Sequence, residues 1–383
     1  MIYLDNAATT QVRREVVDAM IPYLTENYGN AGSLYSLGRK SAEAVDIARG
    51  QVAELIHADK DLIIFTSGGT EANNLVFKGL ADYLIQNGKT HIITSCVEHD
   101  SVIHATEELI KLHFDVQYLP VNRLCKVDLK ALRESIREDT GLVSIMYVNN
   151  EVGAINEVQK IAEICREKNV LFHTDCVQAL GMQEIDVDNL GVDFLSVSSH
   201  KIHGCKGVGC LYARDKSILA PLISGGANQE YGLRGGTENV AGIVGFGKAC
   251  EILCKNFTDI QYRTRALRYF LSSQLKDAFG DQAKILIDEE YSKVVSVTFK
   301  GIDAQTMVLL LDNQGVYVSA GSACRSFETT PSRTLSAMGL SNEEARCTLR
   351  LSVSDFNTRQ EIIDAVKIIS DCVDLLNGDV VWD

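Results

Sequence analysis

The stretch DFLSVSSHKIHGCKGVGCLYA, residues 193–213, decides the fold and contains the most informative lysine of the chain. Its apolar residues 194–197 predict a short buried strand, and a glycine-rich turn then leads into a second strand from Val208. Lys201 follows the first strand at its carboxyl end. Because ligands of open α/β sheets bind at the carboxyl ends of the strands, we expect Lys201 to face a cleft. A lysine that is partly desolvated in a cleft becomes a nucleophile toward carbonyl groups, whereas an ordinary surface lysine does not.

A second strand ends shortly before this stretch. The apolar run 170–174 leads into Asp175, and Lys201 follows 26 residues later. That gap fits a strand, a short connection and a further strand, so both side chains are expected to open into one cleft. Pyridoxal phosphate needs a lysine that carries it as a Schiff base and an acid that keeps its pyridine nitrogen protonated. The pair Asp175 and Lys201 therefore predicts a site for this cofactor.

The segment LIIFTSGGTEANNLVFKGL, residues 62–80, supplies a candidate phosphate site. An apolar strand runs into Gly68, Gly69 and Thr70, and a helix is predicted from Glu71. Glycines let the backbone approach an anion, and the free N–H groups at a helix start bind phosphate. A tight turn explains the segment equally well by itself, since it lacks the lysine of a Walker loop and the third glycine of a dinucleotide fingerprint. Together with Asp175 and Lys201 it predicts the phosphate end of a pyridoxal phosphate site.

Nine short motifs, in order and at compatible spacing, resemble those of the cysteine desulfurases, in the NifS/IscS-like branch of the class V aminotransferase-like enzymes. They are YLDNAATT (3–10), TSGGTEANN (66–74), EH (98–99), VNNEVG (148–153), TDCVQ (174–178), SSHK (198–201), RGGT (234–237), GSAC (321–324) and LRLS (349–352). The resemblance implies the α/β fold type I of pyridoxal phosphate-dependent transferases. This fold has a large domain with a mostly parallel seven-stranded sheet and a small α/β C-terminal domain.

The order of strands and helices agrees with that fold. Between residues 61 and 214 the two alternate, as a parallel sheet requires. The predicted strands there are Leu62–Phe65, His91–Thr94, Val116–Leu119, Leu142–Val148, Val170–Thr174, Phe194–Val197 and Val208–Tyr212. A long polar helix is expected from about Thr258, where the organisation changes. We therefore predict a large cofactor-binding domain, residues 14–257, and a small domain of residues 1–13 and 258–383 that carries the loop with Cys324.

Composition excludes several classes of function. The net charge of −14 over 383 residues argues against direct nucleic-acid binding, which relies on neutralising phosphates with Lys and Arg. The sequence shows no signal peptide and no apolar run of about 20 residues, so we expect a cytoplasmic protein that does not enter membranes. His200, His203, Cys205 and Cys210 resemble metal ligands, but Lys201 lies among them and the glycines indicate a turn. No metal site is predicted.

The resemblance implies that six further side chains contact the cofactor: His99, Asn150, Gln178, Ser198, His200 and Thr237. His99 would stack on the ring and move protons, a task that suits an imidazole, although a helix-capping role is the alternative. Asn150 and Gln178 would reach the phenolate oxygen. Thr237, where a helix is predicted to begin, would contact the phosphate of the other subunit's cofactor. This last contact implies a homodimer.

Three residues are candidates for handling the substrate. The GSAC motif implies that Cys324 is the nucleophile, and nearby Arg325 would favour its thiolate. Arg350 would hold the substrate carboxylate through its two parallel N–H donors, the alternative being a surface charge on a strand. Asn30 stands where the family contacts that carboxylate, and a turn asparagine is an equal alternative.

The implied activity is the conversion of L-cysteine to L-alanine. The sulfur would remain on Cys324 as a persulfide and pass to an acceptor protein in iron–sulfur cluster assembly, tRNA thiolation or DNA phosphorothioation. An aminotransferase or a cysteine/selenocysteine lyase of the same fold is one alternative, and it would need no exposed Cys324. A non-catalytic dimeric docking platform is another, and it would leave Lys201 without cofactor. Alanine formation from cysteine, and borohydride bleaching of a yellow protein, distinguish these possibilities.

Overall fold

The computed structural model describes residues 1–288, 292–321 and 331–378. Its strands are β1 Ile2–Tyr3, β2 Ile63–Thr66, β3 His91–Ser95, β4 Asp115–Leu119, β5 Thr140–Ser144, β6 Leu171–Asp175, β7 Phe194–Ser198, β8 Gly209–Ala213, β9 Ala283–Ile285, β10 Val294–Phe299, β11 Val316–Tyr317, β12 Ser319–Ala320 and β13 Thr348–Ser352. Its helices are α1 Arg14–Thr25, α2 Ser36–Leu55, α3 Gly69–Gln86, α4 Asp100–Lys111, α5 Leu129–Ser135, α6 Val158–Glu167, α7 Val187–Leu190, α8 Val240–Phe279, α9 Ala304–Asn313, α10 Arg333–Ala337, α11 Asn342–Arg346 and α12 Arg359–Asn377. No helix within these ranges has both the length and the apolar character that crossing a membrane requires.

A seven-stranded sheet forms the centre of the molecule, in the order β2-β8-β7-β6-β5-β3-β4. Six strands are parallel, and β8 alone runs antiparallel to both of its neighbours. Buried apolar clusters cover both faces of this sheet, which is why its strands read as continuous hydrophobic runs. The predicted α/β class and the mostly parallel seven-stranded sheet are confirmed.

The predicted strand Leu142–Val148 is too long at its carboxyl end, because β5 stops at Ser144. The chain continues beside β6 without regular pairing: the N–H of Ile145 donates to the carbonyl of His173, and that of Tyr147 to the carbonyl of Asp175. The residues that follow Ser144 are also apolar, because this part of the chain stays buried. Burial alone therefore could not mark the end of the strand.

A second sheet, in the order β12-β13-β10-β9, lies in the C-terminal part and is antiparallel. Its apolar side chains form a separate cluster with α9 and α12. The helix predicted to begin near Thr258 is the second half of α8, a 40-residue helix whose helical geometry is interrupted at Asn256 (φ −127°, ψ 19°). The predicted domain boundary at residues 257–258 therefore lies inside a helix. The division into two domains remains a prediction.

The N-terminal segment joins the two sheets. Beyond β1, which pairs with β11, the N–H of Ala7 donates to Ser352 Oγ (2.8 Å) in β13. Three residues later, Thr10 donates its N–H (3.0 Å) and its hydroxyl (2.9 Å) to the carbonyl of His200. Residues 7–10 are thereby fixed against the turn that carries Lys201.

Candidate active site

A cavity of about 220 Å³ opens at the carboxyl ends of the parallel strands. We name it the Lys201 cavity. Its lining includes ten of the residues selected from the sequence: Gly69, Thr70, His99, Asn150, Asp175, Gln178, Ser198, His200, Lys201 and Arg350. The topology accounts for nine of them, because parallel strands present their carboxyl ends at one edge of the sheet and the loops that follow them meet there. Arg350 comes from β13 of the second sheet.

Lys201 is the last residue of a 3-10 turn, Ser199–Lys201, that begins where β7 ends. Its Nζ donates to the carbonyls of Ala7 (2.6 Å) and Ala8 (2.8 Å) in the N-terminal segment. Because these contacts are hydrogen bonds, they position the amine in the cavity and leave its nitrogen able to react. The position suits a lysine that reacts with a carbonyl ligand.

Asp175 ends β6, the strand next to β7, and its side chain is 5% exposed. Asn73 Nδ2 donates to Asp175 Oδ2 (2.8 Å), and the N–H of Val177 donates to Asp175 Oδ1 (2.9 Å). Asn73 also donates to Ser101 Oγ (2.9 Å), which fixes the orientation of its amide. Asp175 is thus a buried, immobilised carboxylate. The sequence indicated no role for Asn73, whose only signal is its polar character on the buried face of a helix.

The start of α3 forms the candidate anion site. Gly68 has φ 154° and ψ −178°, a conformation available to glycine, and α3 begins at Gly69. A Cβ atom on Gly69 would lie 2.5 Å from Val177 Cγ2, so a larger residue there would close this end of the cavity. The first N–H groups of an α-helix have no partner within the helix and can bind an anion. The turn before α3 therefore has a shape that would admit a phosphate, and its binding role stays a prediction.

His200 also lines the Lys201 cavity. Burial, and then the charges of Lys201, Lys293 and Lys206, lower the pKa of its imidazole to about 3. The ring is consequently neutral at physiological pH. Its Nδ1 hydrogen-bonds to Thr9 Oγ1 at 3.1 Å, so it can offer a hydrogen bond to a ligand without adding charge.

Of the two interpretations of His99 that the sequence left open, the structure shows the helix cap, and stacking on a cofactor stays a prediction. Its Nδ1 accepts the N–H of Ser101 (3.1 Å), which makes His99 the N-cap of α4. The same ring lines the Lys201 cavity. Capping fixes the orientation of the imidazole, and a fixed ring at the cavity wall is what stacking on a cofactor requires.

Arg350 is not a surface charge. It lies in β13 and is 2% exposed. Its Nη2 donates to Asp5 Oδ1 (2.9 Å), and its Nη1 donates to the carbonyl of Asn150 (3.0 Å). Its buried Nε has no hydrogen-bond partner among the described residues. A guanidinium with an unused buried donor at a cavity wall is suited to a carboxylate ligand.

Three predicted residues do not join this cavity. Asn30 is exposed, and its Oδ1 accepts the N–H of Gly32 (2.8 Å), as a turn asparagine does. Thr237 is also exposed and does not start a helix, since α8 begins at Val240 after the cap Asn239. Cys324 lies outside the described residues. Residues on either side of its segment approach Glu151, which lines the cavity: Gly321 lies beside Glu151, and Ser332 donates to the Glu151 carboxylate.

The donor set of the cavity fits pyridoxal phosphate. It offers the amine of Lys201, the buried carboxylate of Asp175, the imidazole of His99, and a helix start shaped by glycine. Gln178 lies between them, with Nε2 donating to the carbonyl of Ala7 (2.8 Å) and with Oε1 buried without a partner among the described residues. Buried polar atoms are normally hydrogen-bonded, so Gln178 Oε1 and Arg350 Nε indicate that a polar ligand completes the site.

Comparisons with known proteins agree with this chemistry. The pattern of the Aminotransferase class-V family matches residues 2–365. The "Cysteine desulfurase IscS" of Methanosarcina thermophila is 42% identical over 382 residues, which cover 98% of this chain and 93% of that protein. A solved structure described as a "NIFS-LIKE PROTEIN" superposes with a TM-score of 0.91 at 36% identity, covering 98% of this chain and 99% of that one. Another, "SspA in complex with cysteine", gives a TM-score of 0.79 at 33% identity, covering 94% and 100%.

Proposed function

Because this chain belongs to the class-V aminotransferase family, we propose that it uses the Lys201 cavity to convert L-cysteine to L-alanine and to retain the sulfur as a persulfide. The chain is a cysteine desulfurase, as its relatives over nearly the full length are. The observation that carries the residue assignment is the convergence of Lys201, Asp175 and Arg350 on one cavity. The experiment that tests it is a measurement of alanine and persulfide formed from free cysteine.

Pyridoxal phosphate, when bound, supplies an electron sink that weakens the bonds at the α-carbon of an amino acid. Lys201 would hold it covalently, and the N–H groups at Gly69 and Thr70, with Ser198 and His200, would bind its phosphate. Asp175, fixed by Asn73, would place a negative charge beside the pyridine nitrogen and keep that nitrogen protonated. Asn150 and Gln178 would hydrogen-bond the phenolate oxygen, and His99 would stack on the ring.

Arg350 would orient the substrate. Its Nε is unused and its two other nitrogens are bound to Asp5 and to the carbonyl of Asn150, so a carboxylate would complete its hydrogen bonds. Lys201, which lines the same cavity, would accept the α-proton through its amine. Carbonyls of Ala7 and Ala8 would hold the amine in place while it does so.

Cys324 would take the sulfur. Its thiolate attacks the sulfur of the substrate, an S–S bond forms, and the Cβ–S bond breaks. The electron pair of that bond goes to carbon, which takes up a proton and becomes the methyl group of alanine. An acceptor protein thiolate would then attack the outer sulfur and regenerate Cys324. Gly321 and Ser332, on either side of the segment that contains Cys324, both lie at Glu151 on the cavity wall.

Asp175→Asn should keep the covalently bound cofactor and lose turnover. The amide preserves the shape of the side chain but removes the negative charge, so the pyridine nitrogen loses its proton and the ring becomes a poorer electron sink. We expect alanine formation to fall about 10²-fold or more, as for loss of one pre-organised electrostatic group. Absorbance of the bound cofactor and the steady-state rate measure the two effects.

A matched control for this variant is Asp193→Asn. Asp193 is also a partly buried carboxylate that accepts a backbone N–H, from Phe172 at 2.8 Å, but it lies at the other end of the sheet. The control should keep the parental rate. If Asp175→Asn formed alanine at the parental rate, the charge of Asp175 would have no role in the reaction.

We propose that two copies of the chain form each active site. Thr237 is exposed and away from its own cavity, so a partner subunit would have to present it to the phosphate. Large apolar side chains are exposed on one continuous stretch around the end of α1 and the start of α2: Leu24 (63%), Tyr28 (71%), Leu34 (90%) and Tyr35 (59%). Exposed apolar clusters of this kind mark protein interfaces, which supports a homodimer.

Leu34→Asp should convert the dimer to monomer and weaken cofactor binding. A charge at the centre of an apolar interface is desolvated without a partner, and loss of the partner's Thr237 removes one phosphate contact. Since a hydrogen bond to a charged group contributes about 1.5–3 kcal/mol, cofactor affinity should fall roughly tenfold or more. Light scattering and cofactor titration measure the two effects. Leu309→Asp, on α9 with Leu309 66% exposed, is the control and should change neither; a dimeric Leu34→Asp with parental cofactor affinity would contradict this arrangement.

A further inference from the structure

Lys293 is a buried lysine that the proposed chemistry does not use. It immediately precedes β10 and is 5% exposed. Its Nζ donates to the backbone carbonyl of Lys201 at 3.1 Å. Among the described residues no carboxylate lies within ion-pair distance of it. Because lysines are rarely this buried without a counterion, its placement against Lys201 requires a reason.

The turn that carries Lys201 is held through its carbonyl groups. The carbonyl of Ser199 is bonded within the turn itself, and the carbonyl of His200 accepts two hydrogen bonds from Thr10 of the N-terminal segment. The carbonyl of Lys201 accepts from Lys293. The sheet that contains β10 therefore contacts the backbone of the reactive lysine directly through this side chain.

The surroundings of Lys293 disfavour its charge. Burial, and then the positive charges of Lys201 and Arg350, lower its pKa to about 7. By the same repulsion, a protonated Lys293 disfavours a positive charge on Lys201. The two lysines are coupled both by a hydrogen bond and by charge.

Asp355 is an acidic residue that lines a second, smaller cavity together with Lys201 and Lys293. Its carboxylate is bonded to Arg13 (2.6 Å) and lies 3.4 Å from His203 Nε2. Arg13 thus balances its charge. Among the described residues, no carboxylate is therefore left to compensate the positive charge that Lys293 carries when it is protonated.

We propose that Lys293 is a positioning residue for Lys201: it fixes the Lys201 carbonyl from the neighbouring sheet, and its charge weakens proton binding by the Lys201 nitrogen. A lysine nitrogen that binds protons weakly spends more time as the neutral nucleophile and base. The proposal rests on the proposed role of Lys201 in holding pyridoxal phosphate.

The test compares the parent protein with Lys293→Met, Lys293→Gln and Lys293→Arg, each loaded with pyridoxal phosphate. The visible absorption of the bound cofactor, followed against pH, reports the protonation of the Lys201 nitrogen. Lys293→Met and Lys293→Gln both remove the charge that Lys293 carries up to about pH 7. Their midpoint should therefore rise, by up to about one pH unit. Arg stays charged, so its midpoint should equal or lie below that of the parent. Unchanged midpoints in Met and Gln would overturn the role of the charge.

The positioning role has its own readout, the rate at which cofactor-free protein captures pyridoxal phosphate. Gln and Met both lack the charge, but Gln retains an N–H donor for the Lys201 carbonyl. Cofactor-free Lys293→Met should therefore bind pyridoxal phosphate several-fold more slowly than cofactor-free Lys293→Gln. Equal capture rates in these two variants would overturn the role of the hydrogen bond.

A pH series of cofactor-free protein tests the buried charge itself. The pKa of Lys293 in the folded protein, about 7, lies below the ordinary value of 10.5. Between these pH values the unfolded chain binds more protons, so the unfolding free energy of the parent should rise with pH. The unfolding free energy of Lys293→Met lacks this rise. It should exceed that of the parent most at pH 7 and below, and the difference should vanish near pH 10.5. If the unfolding free energies of the parent and of Lys293→Met changed with pH in parallel, the proposal would be overturned. A parent protein that makes no alanine from cysteine would instead contradict the proposed function, and the absorption, capture and stability measurements would still test the role of Lys293.

Discussion

Lys201→Ala is expected to purify without covalently attached cofactor and to make almost no alanine from cysteine. The variant lacks both the amine that holds the cofactor and the base that would accept the α-proton. Because general acid–base catalysis alone contributes about 10²–10⁴-fold, the rate should fall by about 10³-fold or more. Borohydride reduction followed by mass spectrometry should find the cofactor on Lys201 in the parent and on no residue in the variant.

Lys206→Ala is the matched control for this experiment. Lys206 lies five residues further along the same loop but is exposed and does not line the cavity. Its loss should leave cofactor attachment and turnover at the parental level. Covalent cofactor in Lys201→Ala, or its loss in Lys206→Ala, would move the attachment site away from Lys201.

The positions of Lys201 and Asp175 could be predicted because each follows an apolar strand. Parallel strands end at one edge of the sheet, so two polar residues after such strands are brought together by topology alone. In the structure β6 and β7 are neighbours, with Asp175 paired to Ser196, and both side chains line the same cavity. The glycine-rich turn before α3 could be predicted for the same reason, since it also follows a strand of this sheet.

The residues that hold these groups in place could not be predicted from local patterns. Asn73 lies in the middle of a helix, and nothing in its sequence neighbourhood indicates that its amide faces Asp175. Lys293 precedes a strand, where a lysine is usually solvated, and only the tertiary fold buries it against Lys201. Arg350 was expected at the site only from the family resemblance; it is buried in the same way, so its alternative as a surface charge was wrong. Contacts between distant segments decide all three.

Errors in the predicted boundaries have local causes. The start of α8 was placed at Thr237, but Asn239 provides the cap, and its side chain accepts the N–H of Gly242. The same helix continues past Asn256, whose departure from helical geometry coincides with the change in sequence character near residue 258. The amino-acid composition of a helix changes where its buried face passes from one hydrophobic core to another. The backbone hydrogen bonds can continue through that point, so the helix does not have to end there.

Cys324→Ala should separate cofactor chemistry from sulfur transfer. Lys201, Asp175, His99 and Arg350 remain in this variant, so cysteine should still bind and perturb the absorption of the cofactor. The next step has no nucleophile, and alanine release should fall by about 10³-fold or more, as when other covalent catalysts lose their attacking group. Stopped-flow absorbance measures the binding step, and alanine analysis measures release.

Cys254→Ala is the control thiol variant. Cys254 is partly exposed in α8, and burial, followed by the charge of Glu54, raises the pKa of its thiol. A thiol that stays protonated is a poor nucleophile, so this variant should keep parental turnover. Desulfuration by Cys324→Ala at the parental rate would mean that Cys324 is not the sulfur acceptor.

The most direct test of the assignment is a brief incubation of the parent protein, loaded with pyridoxal phosphate, with L-cysteine and no reductant. Alanine and protein-bound sulfur are then quantified together, and peptide mass spectrometry locates the added sulfur. One alanine should form for each sulfur atom retained, and that sulfur should be found on the peptide containing Cys324. Alanine formed without protein-bound sulfur, or sulfur located on another cysteine, would contradict the proposed role of Cys324.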